Sequence, residues 1–134
     1  MKIVLDTNVL LSAVLPSSRH HWILERIVRG ELILCVSTDI LSEYAELIER
    51  FYTPVVEEAT LAALLYSPFV ERYSPSYFWR LIEHDRDDNK FVDCAIAGGA
   101  DLIVTFDRHF EVLKTIDFPV VPIINPDDFK ERFQ

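Results

Sequence analysis

The sequence predicts an α/β fold built on a parallel sheet, and three observations lead there. Short apolar runs rich in β-branched residues recur along the chain, which is how strands buried on both faces read. Patterns of helical period separate those runs, so that strand and helix alternate. Two of the runs, KIVL and LIVTF, end on a carboxylate, Asp6 and Asp107, and a helical pattern opens directly after each.

The elements follow in order. Lys2 to Leu5 is the first strand, and Val9, Leu10, Ala13 and Val14 give the apolar face of a helix that stops near Pro16. His21 to Arg29 reads as a second helix ended by Gly30, and Leu32 to Val36 as the second strand. Ser37 or Thr38 is suited to cap the next helix, which runs to Phe51 on a stripe of Ile40, Leu41, Tyr44, Leu47 and Ile48. Pro54 fits the first turn of a helix continuing over Val55 to Tyr66. Phe69 to Arg72 is a weaker strand, and Tyr77 to Glu83 is expected to form a short helical turn. Asn89 to Ala97 is a helix stopped by Gly98 and Gly99. Leu102 to Thr105 is the fourth strand, and Val120 to Ile123 the fifth, where Pro122 suits a sheet edge. Asp127 to Phe133 closes the chain as a helix.

At 134 residues, half of them hydrophobic, the chain fits one domain over residues 1–134 with a real core. No apolar run is long enough to span a bilayer, and the N-terminus has no signal-peptide layout. Cys35 and Cys94 lie far apart in apolar contexts with no CxxC spacing, as reduced, buried thiols of a cytoplasmic protein do. The net charge is −9, from 13 basic and 22 acidic residues. That balance lacks the basic footprint of nonspecific nucleic-acid binding, although bound divalent cations invert the local sign of an acidic cluster.

In parallel α/β sheets, ligands bind beyond the carboxyl ends of the strands where strand order reverses. Asp6 and Asp107 face each other there if their strands are neighbours. Each is also an ordinary helix cap. Glu43 stands on the shoulder of its helix's apolar stripe, turned toward the sheet, and Asp93 has a similar place on the 89–97 helix. Asp88 lies roughly 140° around that helix from Asp93, so it reaches the same site only from the first turn or cap. Asn8 and Thr105 are short polar neighbours of Asp6 and Asp107, able to hydrogen-bond an acid without adding charge. Neighbouring buried carboxylates cost several kcal/mol unless a cation is present, and an all-oxygen pocket suits Mg²⁺ or Mn²⁺ rather than zinc. His20, His21, His84 and His109 form no HxxxH pair, and neither a P-loop nor GxSxG occurs.

LDTNVL with Asp6, Glu43 in the mid-chain helix, DCAIA with Asp93, and IVTFD with Asp107 resemble the four-acid signature of PIN domains. The run DRDDNKFVDCAIAGGADLIVTFD is most similar to the bacterial and archaeal branch of toxins related to VapC. This resemblance covers essentially the whole chain. It implies a Rossmann-like three-layer domain with a five-stranded parallel sheet ordered 3-2-1-4-5. It also implies a Mg²⁺- or Mn²⁺-dependent endoribonuclease, the toxin of a type II toxin–antitoxin system, forming a homodimer and held inactive by a small antitoxin protein. Carried over residue by residue, Asp6, Glu43, Asp93 and Asp107 form the catalytic, metal-binding cluster. Asp88 is an additional metal-binding acid, and Asn8 and Thr105 are supporting positions.

The reaction implied is in-line hydrolysis of an RNA phosphodiester, with the cation activating water and offsetting charge on the phosphate. Arg86, Lys90, Arg108 and His109 flank the acids in sequence, as phosphate-steering groups would. Two other readings stay open: an RNA-processing or repair nuclease without an antitoxin, and a PIN fold used only for binding. A DxDxT-type phosphatase carries Asp where this chain has Asn8, which sets that class aside.

Overall fold

The computed structural model describes residues 1–83 and 85–133, with His84 and Gln134 outside the described residues. Five strands are present among them: β1 (Lys2–Leu5), β2 (Ile33–Val36), β3 (Val70–Arg72), β4 (Leu102–Val104) and β5 (Ile123–Ile124). They form one sheet in the order β3-β2-β1-β4-β5, parallel at every pairing, which matches the expected order. In β1, the consecutive residues Ile3, Val4 and Leu5 are all fully buried. Successive strand side chains point to opposite faces, so both faces of the sheet centre are covered.

The helices are α1 (Thr7–Ala13), α2 (Trp22–Val28), α3 (Thr38–Phe51), α4 (Pro54–Tyr66), α5 (Asn89–Gly98) and α6 (Pro126–Phe133). Ser37 caps α3, its hydroxyl accepting from the Ile40 N–H at 3.3 Å. Thr53 does the same for α4, with Pro54 in the first turn. The two glycines after Ala97 have different tasks. Gly98 is the last residue of α5, where a Cβ would stand 2.8 Å from the Tyr73 ring. Gly99 is the left-handed cap at φ 64°, a conformation glycine adopts without steric cost.

Two elements differ from the sequence reading. Tyr77 to Glu83 is not helical. Backbone groups that a helix would satisfy internally are bonded by side chains of α5 instead: Trp79 N–H by Asp93, and Ile82 by Asn89. The fifth strand starts at Ile123 rather than Val120. Val120 is 72 % exposed, and Pro122, which has no N–H to give the ladder, contributes only its carbonyl, accepting from Ile103 N–H at 2.9 Å. Cys35 and Cys94 are buried free thiols, pushed up to about 11 and about 12 by burial. Among the described residues, no helix is long and apolar enough to cross a membrane.

Candidate active site

The reversal of strand order falls between β1 and β4, and there the acids gather. The Asp6 N–H donates to the Val104 carbonyl at 3.0 Å, continuing the β1–β4 ladder to the carboxyl ends of the strands. Its backbone carbonyl then accepts from Val9 and Leu10, opening α1, while its side chain makes no cap bond. The carboxylate turns instead to Thr105, whose hydroxyl donates to Oδ2 at 2.7 Å. Asp6 is buried, and that burial raises its pKa, aided by the charges of Asp107 and Glu43 and opposed by the Thr105 hydrogen bond. A helix cap has no need of such an environment.

Asp107 does cap. Its Oδ1 accepts from the His109 N–H at 2.8 Å at the start of a 3₁₀ helix, Arg108–Thr115. Thr105 links the two acids, because its hydroxyl oxygen also accepts from the Asp107 N–H at 2.9 Å. One short side chain thus holds the Asp6 carboxylate and the Asp107 backbone.

Glu43 arrives from α3. The neighbouring Tyr44 anchors that helix, its hydroxyl donating to the Leu5 carbonyl at 2.5 Å, one residue before Asp6. Glu43 accepts a hydrogen bond from the Thr7 hydroxyl and stands 2.8 Å from Lys90 Nζ. Asn8 is exposed, and the sequence reading overlooked Thr7, whose hydroxyl takes the supporting role expected of it.

The two acids of the 85–98 region part company. Asp88 ends a 3₁₀ turn (Arg86–Asp88) that runs into α5, and it is buried. Its Oδ2 has no hydrogen-bond partner among the described residues, and the carboxylate makes no cap bond. Burial pushes Asp88 up to about 7, with the charges of Asp85, Asp6 and Asp107 adding to the effect and Lys90 opposing it. Asp93 is also buried, but neither Asp6 nor Asp107 contributes to its raised pKa; burial does, opposed by the hydrogen bond its Oδ1 accepts from Trp79 N–H at 3.0 Å. The geometry therefore brings Asp6, Glu43, Asp88 and Asp107 together and leaves Asp93 five residues further along α5, holding a loop. The sequence reading had placed Asp93 in the cluster and Asp88 beside it as an additional acid.

Asp85 and His109 join the group from its rim. Asp85, Asp88 and His109 each present a ligand atom, all within 4.8 Å of one another. The only sequence signal for them was proximity, Asp85 to Asp88 and His109 to Asp107. Buried carboxylates with one lone oxygen, beside further carboxylates, are a donor set of the kind that hard divalent cations take.

Comparison with known proteins agrees with the fold. The chain resembles the structure of VapBC2 from Rickettsia felis bound to a promoter DNA fragment, at 18% identity and TM-score 0.64 over 93% of this chain and 98% of the other. It also resembles VapC20 of Mycobacterium tuberculosis, a sarcin–ricin loop cleaving toxin, at 17% identity and TM-score 0.59 over 81% and 92%. A third likeness is to FitAcB from Neisseria gonorrhoeae, at 17% and 0.60 over 92% and 97%. The PIN domain endonuclease Utp24 matches at 16% and 0.54, over 92% and 84%. At these identities the likeness is one of fold. No curated protein matches the sequence significantly. The sequence profile of the PIN domain matches residues 2–109, and with that match over most of its length this chain belongs to the PIN-domain family.

Proposed function

We propose that this protein is a divalent-metal-dependent endoribonuclease of PIN type, the toxin of a toxin–antitoxin pair. The observation that carries the reading is Asp88, a buried carboxylate beside Asp6 and Asp107 with an oxygen that has no partner among the described residues. Leaving a buried charge unpaired is costly, and a cation bound between these acids removes the cost. Asp6, Glu43, Asp88 and Asp107 are the proposed holders, with Asp85 and His109 at the rim.

A Mg²⁺ or Mn²⁺ ion bound here supplies a water of lowered pKa and positive charge at the phosphate. The chain's own residues prepare the place. Thr105 fixes the carboxylate of Asp6 and the backbone of Asp107, while Thr7 and Lys90 orient Glu43. Lys90 also brings a cation to the edge of the cluster, where it can attract a phosphate. Asp93, in this reading, is not a ligand.

The toxin assignment draws support from the antitoxin complexes among the structural matches, VapBC2 and FitAcB. The likeness to endonuclease Utp24 favours the runner-up, a processing nuclease without an antitoxin. A homodimer belongs to the proposal too, since Val55, Leu65 and Tyr66 leave apolar surface exposed on α4. The test is cleavage of a mixed RNA pool with Mg²⁺ or Mn²⁺ and with EDTA, repeated for Asp6→Asn. Cleavage that survives EDTA or Asp6→Asn would sink the nuclease reading. Growth arrest on expression, relieved by a small neighbouring gene product, separates toxin from processing enzyme.

A further inference from the structure

A larger cleft adjoins the acids through Lys90, which lines it and pairs with Glu43. Residues Ser37 to Asp39, α5 and the irregular segment 73–83 enclose about 1070 Å³. That segment has neither helix nor ladder beyond Tyr73, yet it is held firmly along α5. Asp93 accepts from Trp79 N–H at 3.0 Å. The Asn89 amide clasps Ile82 on both sides, accepting from its N–H and donating to its carbonyl, each at 2.9 Å. Positions 89 and 93 are one turn apart and share a face of the helix. A buried carboxylate and a two-way amide clasp are an unusual investment for a surface loop.

What the strap displays accounts for the pinning. Tyr77 and Phe78 are 64 % and 62 % exposed. Tyr77 packs edge-on against Trp79 at 4.7 Å between ring centres, and Trp79 in turn meets Phe118 at 6.1 Å. Arg80 holds a φ of 55°, a left-handed conformation that non-glycine residues seldom adopt. Phe78, Arg80 and Arg86 line the cleft, and so does Lys90, which is bonded to Glu43 of the acid cluster. Arg80 and Arg86 form no ion pair among the described residues. In a chain of net charge −9, the exposed ring of Phe78 and the guanidinium groups of Arg80 and Arg86 line one cleft, among the acids Asp39, Glu83, Asp87 and Asp93, and Lys90 joins that cleft to Glu43.

We infer that the strap 75–82 is a seat for the unpaired bases of a single-stranded polynucleotide: Tyr77 and Phe78 stack on bases, and Arg80 and Arg86 hold phosphates. The strand then passes Lys90 into the acid cluster. Exposed rings beside cations suit a strand whose bases stack while its phosphates are held, and bases in a duplex hide the faces that these rings need. Asp93 is a positioning residue in this arrangement, acting through the Trp79 backbone. The inference rests on the nuclease reading for its direction, and the two are tested apart.

The experiment is fluorescence anisotropy with a labelled 12-nucleotide RNA, the DNA of the same sequence, and the RNA duplex, all in EDTA so that nothing is cut. Single strands are expected to bind more tightly than duplex. Tyr77→Ala and Phe78→Ala should each weaken single-strand binding about tenfold. Both side chains are exposed, so their loss leaves the fold intact. Asp93→Ala should weaken binding similarly, and Asp93→Asn should restore it, because the amide carbonyl still accepts the Trp79 N–H. Duplex preference, or unchanged RNA affinity in both aromatic variants, overturns the inference and leaves the strap to a protein partner. The nuclease reading is scored separately, by Mn²⁺-dependent hydrolysis of bis(p-nitrophenyl) phosphate by the unaltered protein. Single-strand binding that the aromatic variants lose, without that hydrolysis, supports the strap and overturns the nuclease. Hydrolysis with strap variants that bind normally does the reverse.

Discussion

Lys90 Nζ stands 2.8 Å from Glu43 Oε1, an ion pair that ties α5 to α3 at the mouth of the acid cluster. Both side chains are mostly shielded, at 19 % and 26 % exposure. Lys90 is also the one positive group among the causes acting on Asp88, where it opposes the rise in pKa. In the metal-free protein it offsets part of the repulsion among the acids. Lys90→Met should therefore lower metal-free stability by about 1 kcal/mol, or about 3–5 °C in melting temperature for a chain of this size. Millimolar Mn²⁺ should recover more in the variant than in the parent. Equal metal-induced shifts in thermal melts of the two proteins would show that Lys90 plays no such part.

The separation of Asp88 from Asp93 makes a second test. As a carboxylate facing Asp6 and Asp107, Asp88 should not tolerate a neutral substitute. Asp88→Asn is expected to reduce Mn²⁺ affinity and metal-dependent RNA cleavage by more than about a hundredfold, beyond the loss usual for an outer-shell partner. Asp93→Asn keeps the acceptor for Trp79 N–H and should keep Mn²⁺ affinity within about threefold, an allowance for context. Calorimetric titration of Mn²⁺ into both variants decides. Loss of metal binding in Asp93→Asn with retention in Asp88→Asn would reverse the assignment.

Much of this fold is legible in the sequence because its signals are local. KIVL and LIV read as buried strands, and Pro54 and Gly99 sit at the helix ends where backbone geometry asks for them. Placing two strand-end acids, Asp6 and Asp107, beside each other needed only the strand order. The ranking of Asp88 and Asp93 was not legible, since both are acids near the start of one helix. What separates them is a tertiary bond: Trp79 N–H, fourteen positions upstream in sequence, occupies Asp93. The same bond explains why 77–83 read as a helical turn and is not one. Thr7 was hidden for a related reason, its partner Glu43 being thirty-six positions away.

Oligomeric state gives a third prediction. Leu61 and Leu64 of α4 are buried, yet Val55, Leu65 and Tyr66 of the same helix are 76 %, 55 % and 88 % exposed. A groove of about 380 Å³ lies alongside, between α2 and α4, with Leu24, Val28 and Ala63 in its lining. Apolar surface of this extent marks an interface more often than an ordinary surface. The protein should sediment as a dimer at micromolar concentration, and Leu65→Glu should return it to monomer while changing unfolding free energy by no more than about 0.5 kcal/mol. A parent protein that sediments as monomer throughout removes the dimer.

The pH dependence of metal binding follows from Asp88, whose carboxyl is pushed up to about 7, chiefly by burial and then by Asp85, Asp6 and Asp107. In the unfolded chain an aspartate ionises near its ordinary value of about 4. Between those two values the folded protein holds a proton that the unfolded chain has released. Metal-free stability should therefore fall as pH rises from about 4 to about 7 and level off above. Asp6, raised in the same direction, deepens that fall. Cation binding requires the carboxylate, so binding below pH 7 displaces the proton from Asp88. Apparent Mn²⁺ affinity should rise about tenfold per pH unit between pH 5 and 7 if one proton is displaced, and flatten beyond. Saturating Mn²⁺ should also abolish the downward slope of stability, because the bound state holds the acid ionised. Calorimetric titrations at pH 5.5, 6.5 and 7.5, in buffers of different ionisation enthalpy, count the protons released. An affinity independent of pH over this range, with no proton release, would mean that Asp88 is not a ligand.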